Sequence, residues 1–334
     1  MLRSSPKNLE IVSFTKEFTN IHILEFKEKY PNLDINTLIP IFPISLKNVN
    51  LSTKAISQIE LLPIVISVIC GTLFGDSNLK IQKGYKRARL SYRHSTRQTD
   101  WFMWKTLCIF SKFINENSIV FQFPDGYQEK SNTLPGECLG KWQVSSLVSD
   151  ELTKLQNIIA PNNVKTIERR WLNHMSNYFI MTLWLDDGSL VGGLGRQGII
   201  SCNSLPKNEI KVLVEYFKTV WEIETQVSEF PSKKNKDGQF YYQLSIKDQN
   251  NLMKFLRIIT PILPVKSMLY KVCFFPNDVH LQQRWASELK QMVRPEWHQE
   301  IDKIFLYKKI KFLKMLNFEK NHKSLRESED DIVQ

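Results

Sequence analysis

Cysteine is sparse and unpatterned: the five residues, Cys70, Cys108, Cys138, Cys202 and Cys273, never form a Cys-x-x-Cys pair. That scatter excludes the common zinc frameworks and offers no disulfide pattern, so a reducing interior is the natural setting. The six histidines show no metal-ligand spacing either. Long apolar runs are also missing. The longest, Leu61 to Gly75, is interrupted by Pro63, Ser67 and Gly71 and is too short to cross a bilayer comfortably. No Lys/Arg-rich amphipathic helix or lipidation signal stands out, which argues against a membrane partner. Acids enter early, at Glu10, Glu17 and Glu25, where an organellar presequence avoids them.

Core-forming residues and positive charge are abundant. A chain of 334 residues, 42% hydrophobic and 11% aromatic, can bury one large core or two ordinary ones. Its net charge of +11 points to a polyanionic partner.

Two segments share one design: Ile69-Cys70-Gly71-Thr72-Leu73-Phe74-Gly75-Asp76-Ser77 and Ile180-Met181-Thr182-Leu183-Trp184-Leu185-Asp186-Asp187-Gly188. Each is an apolar helical run that stops at an acid followed by a small residue. A carboxylate at a helix C-terminus is unfavourable, because that end already carries partial negative charge. One case is an ordinary turn or cap. Two cases, with Asp187 following Asp76 by 111 residues, suggest acids that meet at a shared divalent metal.

The surroundings repeat as well. After Asp76 comes an alternating run, Arg87 to Arg93; after Asp187 comes Gln197 to Asn203. Alternation of period two predicts half-buried strands. Amphipathic helices follow at Asp100 to Ile114 and Lys207 to Trp221, then strands at Lys141 to Ser145 and Gln239 to Ser245. Helices at Ser149 to Ile159 and Lys247 to Ile259 end each unit before a proline-containing segment. Each unit then delivers a lysine, Lys165 and Lys271, 89 and 84 residues beyond its acid. The first unit carries an extra excursion, Phe123 to Glu137, and the tail from Glu300 is charged and helical to about Phe318.

The strands separate their chemistry by face. Arg87, Arg89, Ser91 and Arg93 point one way, as do Lys141 and Gln143 in a later strand. In the second unit Gln197, Ser201 and Asn203, and then Gln239, Tyr241 and Gln243, form the corresponding faces. Arg pairs with guanine edges, Gln with adenine, and a β-ribbon fits the major groove. Any single strand of this kind is equally a solvated sheet face; the lack of acids over several strands favours nucleic acid. In the first motif Ser67, Gly71 and Gly75 recur at i, i+4 and i+8, a narrow stripe that lets another helix approach closely.

These residues resemble the paired signature of the LAGLIDADG homing endonucleases, in their single-chain form encoded in organellar group I introns. The likeness runs from about Leu61 to Glu296 and includes the Pro-Met-Tyr-Lys context of Lys271. It implies an α+β fold of two pseudo-symmetric αββαββα repeats, with motif helices packed at the interface and two saddle-shaped antiparallel sheets facing DNA. The expected divisions are an N-terminal extension (1–60), repeats over 61–172 and 173–296, and a charged tail (297–334). The resemblance assigns catalytic roles to Asp76, Asp187, Lys165 and Lys271. It puts a Mg²⁺ site at Asp76 and Asp187, with Ser77 and Asp186 beside them as further candidate ligands, Asp186 chiefly orienting or capping. Three departures stand out: Ser77 replaces the commoner glycine, Phe74 replaces an acid, and Thr182 occupies a tight-packing position. The implied partner is double-stranded DNA bound by a monomer in a mitochondrion or other organelle. The alternative is a group I intron RNA maturase that uses the same basic surface without cutting.

Overall fold

The computed structural model describes residues 6–43, 56, 58–75, 77–123, 140–192, 195–203, 205–231 and 240–330. Asp76, Gln239, Cys138 and most of the Phe123–Glu137 excursion lie outside the described residues. A helix, α1 (Pro6–Lys29), precedes the repeated units. The first unit runs α2 (Pro63–Leu73), β1 (Ser77–Ile81), β2 (Ala88–Ser95), α3 (Thr99–Met103), β3 (Val120–Gln122), β4 (Lys141–Ser145) and α4 (Asp150–Ile159). A one-turn helix, α5 (Arg169–Leu172), leads to the second unit. That unit runs α6 (Asn177–Asp187), β5 (Gly188–Val191), β6 (Gln197–Ser201), α7 (Lys207–Trp221), β7 (Gln226–Pro231), β8 (Phe240–Ile246) and α8 (Gln249–Ile259). Two further helices, α9 (Val279–Met292) and α10 (His298–Asp330), close the described chain. The expected αββαββα order is present twice.

Each unit builds one four-stranded antiparallel sheet, with strand orders β1-β2-β4-β3 and β5-β6-β8-β7. Alternation decides which side of each strand is inside. In β2, Ala88, Leu90, Tyr92 and His94 are buried, while Arg89, Ser91, Arg93 and Ser95 take the other face. Lateral register keeps like with like: Arg93 lies opposite Gln143 and Ser91 opposite Ser145, whereas Tyr92 meets Val144.

The motif helices need protein on every side. α2 is buried from Ile64 to Leu73 and opens on Pro63, where a missing N–H disrupts no helical bond. α6 is buried from Asn177 to Asp186. Helices apolar all round belong inside a core, and these two pack on one another between the units. The stripe of small residues faces the partner. Ser67 Oγ accepts from the Ser176 amide at 3.0 Å. A Cβ on Gly71 would meet Phe179 O and Thr182 Cβ at 2.7 Å each.

Two elements differ from the pattern-based expectation. The Asp100–Ile114 stretch is not one α-helix: after α3 the chain widens into a π-helix over Trp104–Ile109, and the Phe110 amide donates to Lys105 O at 2.9 Å. Such wide turns arise where a side chain must be aimed off the regular helical register, and Lys105 is fully buried here. The C-terminal helix continues to Asp330 rather than ending near Phe318, in keeping with a stretch rich in Glu, Lys and Arg without Gly or Pro. Among the described residues no helix is long and apolar enough to cross a membrane.

Candidate active site at the meeting of two helix ends

α6 passes into β5 without a loop, because Gly188 already has extended backbone angles (φ −78, ψ 151). Asp187 is therefore the last helical residue, half-buried at the point where helix becomes strand. From the first unit, Gly75 reaches the same place. A Cβ on Gly75 would lie 2.6 Å from Asp187 Oδ2 and 2.9 Å from Asp186 Cβ. Only glycine allows this approach, and the residue that follows Gly75 in sequence is Asp76. The two motif ends thus converge, although Asp76 itself lies outside the described residues. No group of three or more His, Cys, Asp or Glu side chains suited to a metal occurs among the described residues.

Lys271 answers the electrostatic difficulty of an acid at a helix C-terminus. It sits in a 3₁₀ turn, Lys266–Lys271, and is 6% exposed. Its Nζ donates to Leu185 O at 2.6 Å and Gly188 O at 2.9 Å. A cation there neutralises the carbonyl end of α6. The lock is reciprocal, since Trp184 Nε1 donates to Lys271 O at 3.0 Å. Lys165 occupies the matching stretch of the first unit, half-buried beyond the Pro161–Asn163 turn. That turn is tied to β1 through Asn163 Oδ1, which accepts from the Ile81 amide at 3.2 Å.

Asp186 and Ser77, the further candidate ligands, are both buried. The Asp186 side chain points inward and is wholly buried. Trp101 Nε1 donates to its Oδ1 at 2.6 Å, and Lys105 Nζ donates to both oxygens at 2.9 and 3.0 Å. Burial pushes this carboxyl up, but Lys105 and His94 outweigh it and hold the group below the usual carboxylate range. These donors hold the Asp186 carboxylate from the first unit. Ser77 likewise turns its buried hydroxyl to the inner face of β1 with Leu79, opposite Tyr92. His94, whose Nε2 is 3.6 Å from Asp186 Oδ1, is pushed down to about 3 by burial and by Lys105, so it is neutral at physiological pH. Nothing in the pattern singled out His94, Trp101 or Lys105. A lysine in an otherwise aromatic helical stretch was the available signal.

The outer sheet faces carry most of the expected nucleic-acid residues. Lys80, Arg89, Ser91, Arg93, Lys141 and Gln143 share one face of the first sheet. Arg87 stands apart: it precedes β2 and pairs with Asp150 at 2.8 Å. In the second sheet Gln197, Ser201, Tyr241 and Gln243 share a face with Ser189, Gln226 and Ser228. Asn203 is exposed just past β6, and Gln239 lies outside the described residues. Among the described residues no acid stands on either outer face, and the second face has no lysine or arginine. A cleft lined by Ser189, Tyr270, Lys271, Lys303, Tyr307 and Lys311 opens beside the helix ends.

A family model described as LAGLIDADG DNA endonuclease matches residues 66–255, more than half of the chain. Among solved structures, the homing endonuclease I-WcaI bound to its DNA recognition sequence aligns over 69% of this chain and 97% of its own. Its identity is 16% and its TM-score 0.51, a likeness of fold alone. The LAGLIDADG meganuclease I-AabMI bound to uncleaved DNA aligns over 73% of this chain and 98% of its own, at 13% identity and a TM-score of 0.31. I-GzeII in complex with its DNA target covers 73% and 97%, at 11% identity and a TM-score of 0.29. No curated protein matches the chain in sequence.

Proposed function

Because the chain belongs to the LAGLIDADG DNA endonuclease family, we propose that it is a sequence-specific, Mg²⁺-dependent endonuclease that cuts both strands of a DNA duplex, in the service of intron homing. The observation that supports this reading is the close approach of Gly75, at the end of the first motif, to Asp187, the acid that ends the second. The chemistry of this pair fits a hard divalent cation, because carboxylate oxygens are its preferred ligands. Asp187 and Asp76 would hold it. Bound there, the ion neutralises phosphate charge and lowers the pKa of a water.

The chain's own residues supply the rest. Lys271 screens the α6 terminus, and Lys165 holds the equivalent place in the first unit; both lend positive charge where a phosphorane gains negative charge. Outer-face Arg, Lys and Gln read base edges, and other basic groups neutralise phosphates. The host compartment we assign is a mitochondrion or another organelle.

The test uses purified full-length chain and DNA fragments spanning the intronless insertion point of its gene, with Mg²⁺ or with EDTA. The expected result is a double-strand cut with Mg²⁺ alone, lost in Asp187→Asn. An Asp187→Asn protein that cuts at the normal rate sinks the mechanism. Specific binding to group I intron RNA, with splicing that survives Asp76→Asn, would assign a maturase role instead.

A further inference from the structure

The buried cluster behind Asp187 is one-sided. Lys105 and Trp101 come from the first unit and grip Asp186 of the second. Lys105 also donates to Thr72 Oγ1 at 3.3 Å and lies over the rings of Tyr92 and Trp101 at 5.1 and 5.0 Å. The places equivalent to Asp186, Lys105 and His94 on the other side carry no charge. Gly75 precedes Asp76 as Asp186 precedes Asp187. Leu213 is the seventh residue of α7, as Lys105 is the seventh from the start of α3. Cys202 lies two residues beyond Ile200 of β6, as His94 lies two beyond Tyr92 of β2, and these two core residues pair with Leu244 and Val144. The same architecture is thus satisfied by apolar residues in one half and by a buried ion pair in the other. The fold itself does not require the charges.

Their position suggests what they do. Asp187 is flanked by Asp186, whose carboxylate is held from the first unit, and by Gly188, whose carbonyl is held by Lys271. The Asp186 carbonyl also accepts from Lys271 at 3.4 Å and the Gly188 amide donates to Trp184 O, so the peptide planes on both sides of Asp187 are fixed, and a carboxylate clamped this way enters the reaction without reorganisation. We propose that Lys105, acting through Asp186, is a positioning residue for the Asp187 carboxylate, so that the two strands of the DNA are cut at separately tuned rates. This inference rests on the nuclease reading above.

The experiment compares wild type with the charge-free pair Lys105→Met/Asp186→Leu, since removing one partner alone strands a buried charge. Supercoiled plasmid carrying the selected target is cut, and each strand's rate is followed separately. Alongside, Ca²⁺ is titrated calorimetrically into the protein–duplex complex, and melting temperatures are recorded. The expected result is a ratio of strand rates shifted at least fivefold, with nicked circles accumulating and Ca²⁺ bound more weakly. A purely structural role would lower the melting temperature and slow both strands in proportion, leaving the ratio and Ca²⁺ affinity unchanged; that outcome overturns the proposal. Should the double variant fail to fold, Trp101→Phe removes one hydrogen bond to Asp186 and must shift the ratio in the same direction, or the proposal falls. A wild-type chain that binds its target yet never cuts removes the nuclease reading, and this inference with it.

Discussion

Single positions explain departures that looked arbitrary in the chain alone. The second motif ends in Gly188 and the first in Ser77, although both follow the acid. A Cβ on Gly188 would sit 2.3 Å from the Trp184 ring, and three residues before Asp76 stands the smaller Leu73. The glycine answers to a bulky neighbour rather than to a left-handed turn, because its φ of −78 suits any residue. His94 gives a prediction on the same scale. An unfolded histidine titrates near pH 6.5, whereas burial and then Lys105 push this one down to about 3. Between those values the unfolded chain binds more protons, so the stabilisation is complete above the unfolded value and drains away as pH falls. The slope reaches about 1.4 kcal/mol per pH unit for one proton. Asp186 adds a separate loss at still lower pH, as its depressed carboxyl protonates. Urea unfolding from pH 7 to 4 should therefore show a flatter profile for His94→Gln than for wild type. Parallel profiles would show that His94 is not buried in its neutral form.

At the level of helices and strands, Lys271 is the cap that lets α6 end in an acid. Lys271→Met leaves the carbonyls of Leu185 and Gly188 without this donor, which should cost about 1–3 kcal/mol of stability and also abolish cleavage. Denaturant melts and plasmid cutting on one preparation check both effects; lost cleavage at unchanged stability would deny the capping role. The sheets make a second prediction. Among the described residues, basic side chains line the outer face of the first sheet and none line that of the second, so the salt dependence of binding by the sheets should come from the first. Arg93→Gln should reduce the slope of log K against log salt by about 0.9, whereas Gln243→Ala should leave the slope alone and relax base preference. Anisotropy titrations at several KCl concentrations separate the two, and equal slopes for all three proteins would refute the assignment. The central strands β2, β4, β6 and β8 were legible because each has a buried and a solvent face, which writes period two into the chain. The outer strands were not. β1, β3 and β5 are short, and β7 carries Glu229 and ends at Pro231, as edge strands can. The convergence of the motif helices was legible in the Ser67-Gly71-Gly75 stripe. The Lys105–Asp186 pair was not, since a lysine in an amphipathic stretch ordinarily faces water, whereas this one is fully buried within the π turn.

Across the whole molecule, the segment ahead of the repeats behaves as a strap. Its residues lie outside the family match, and their composition disclosed no role. Phe18 stacks on Trp142 of the first sheet with ring centroids 5.9 Å apart. Further along, Tyr30 donates to Asp100 Oδ2 at 2.9 Å and accepts from the Lys266 amide at 3.2 Å, so one hydroxyl joins the two units. Ile41 then exchanges two hydrogen bonds with Asn177 at the start of α6, at 2.9 and 3.0 Å. A strap anchored at three such points resists relative motion of the units. Tyr30→Phe removes both bonds of the hydroxyl while keeping the ring, and it leaves Asp100 its ion pair with Lys29. The expected loss is about 1–2 kcal/mol of stability, with target affinity reduced in step. Deleting residues 1–43 should go further and split one cooperative unfolding transition into two, because each unit retains its own sheet and helices. Calorimetry of the truncated chain decides this: a single transition at the wild-type temperature would mean that the motif-helix interface alone holds the units together.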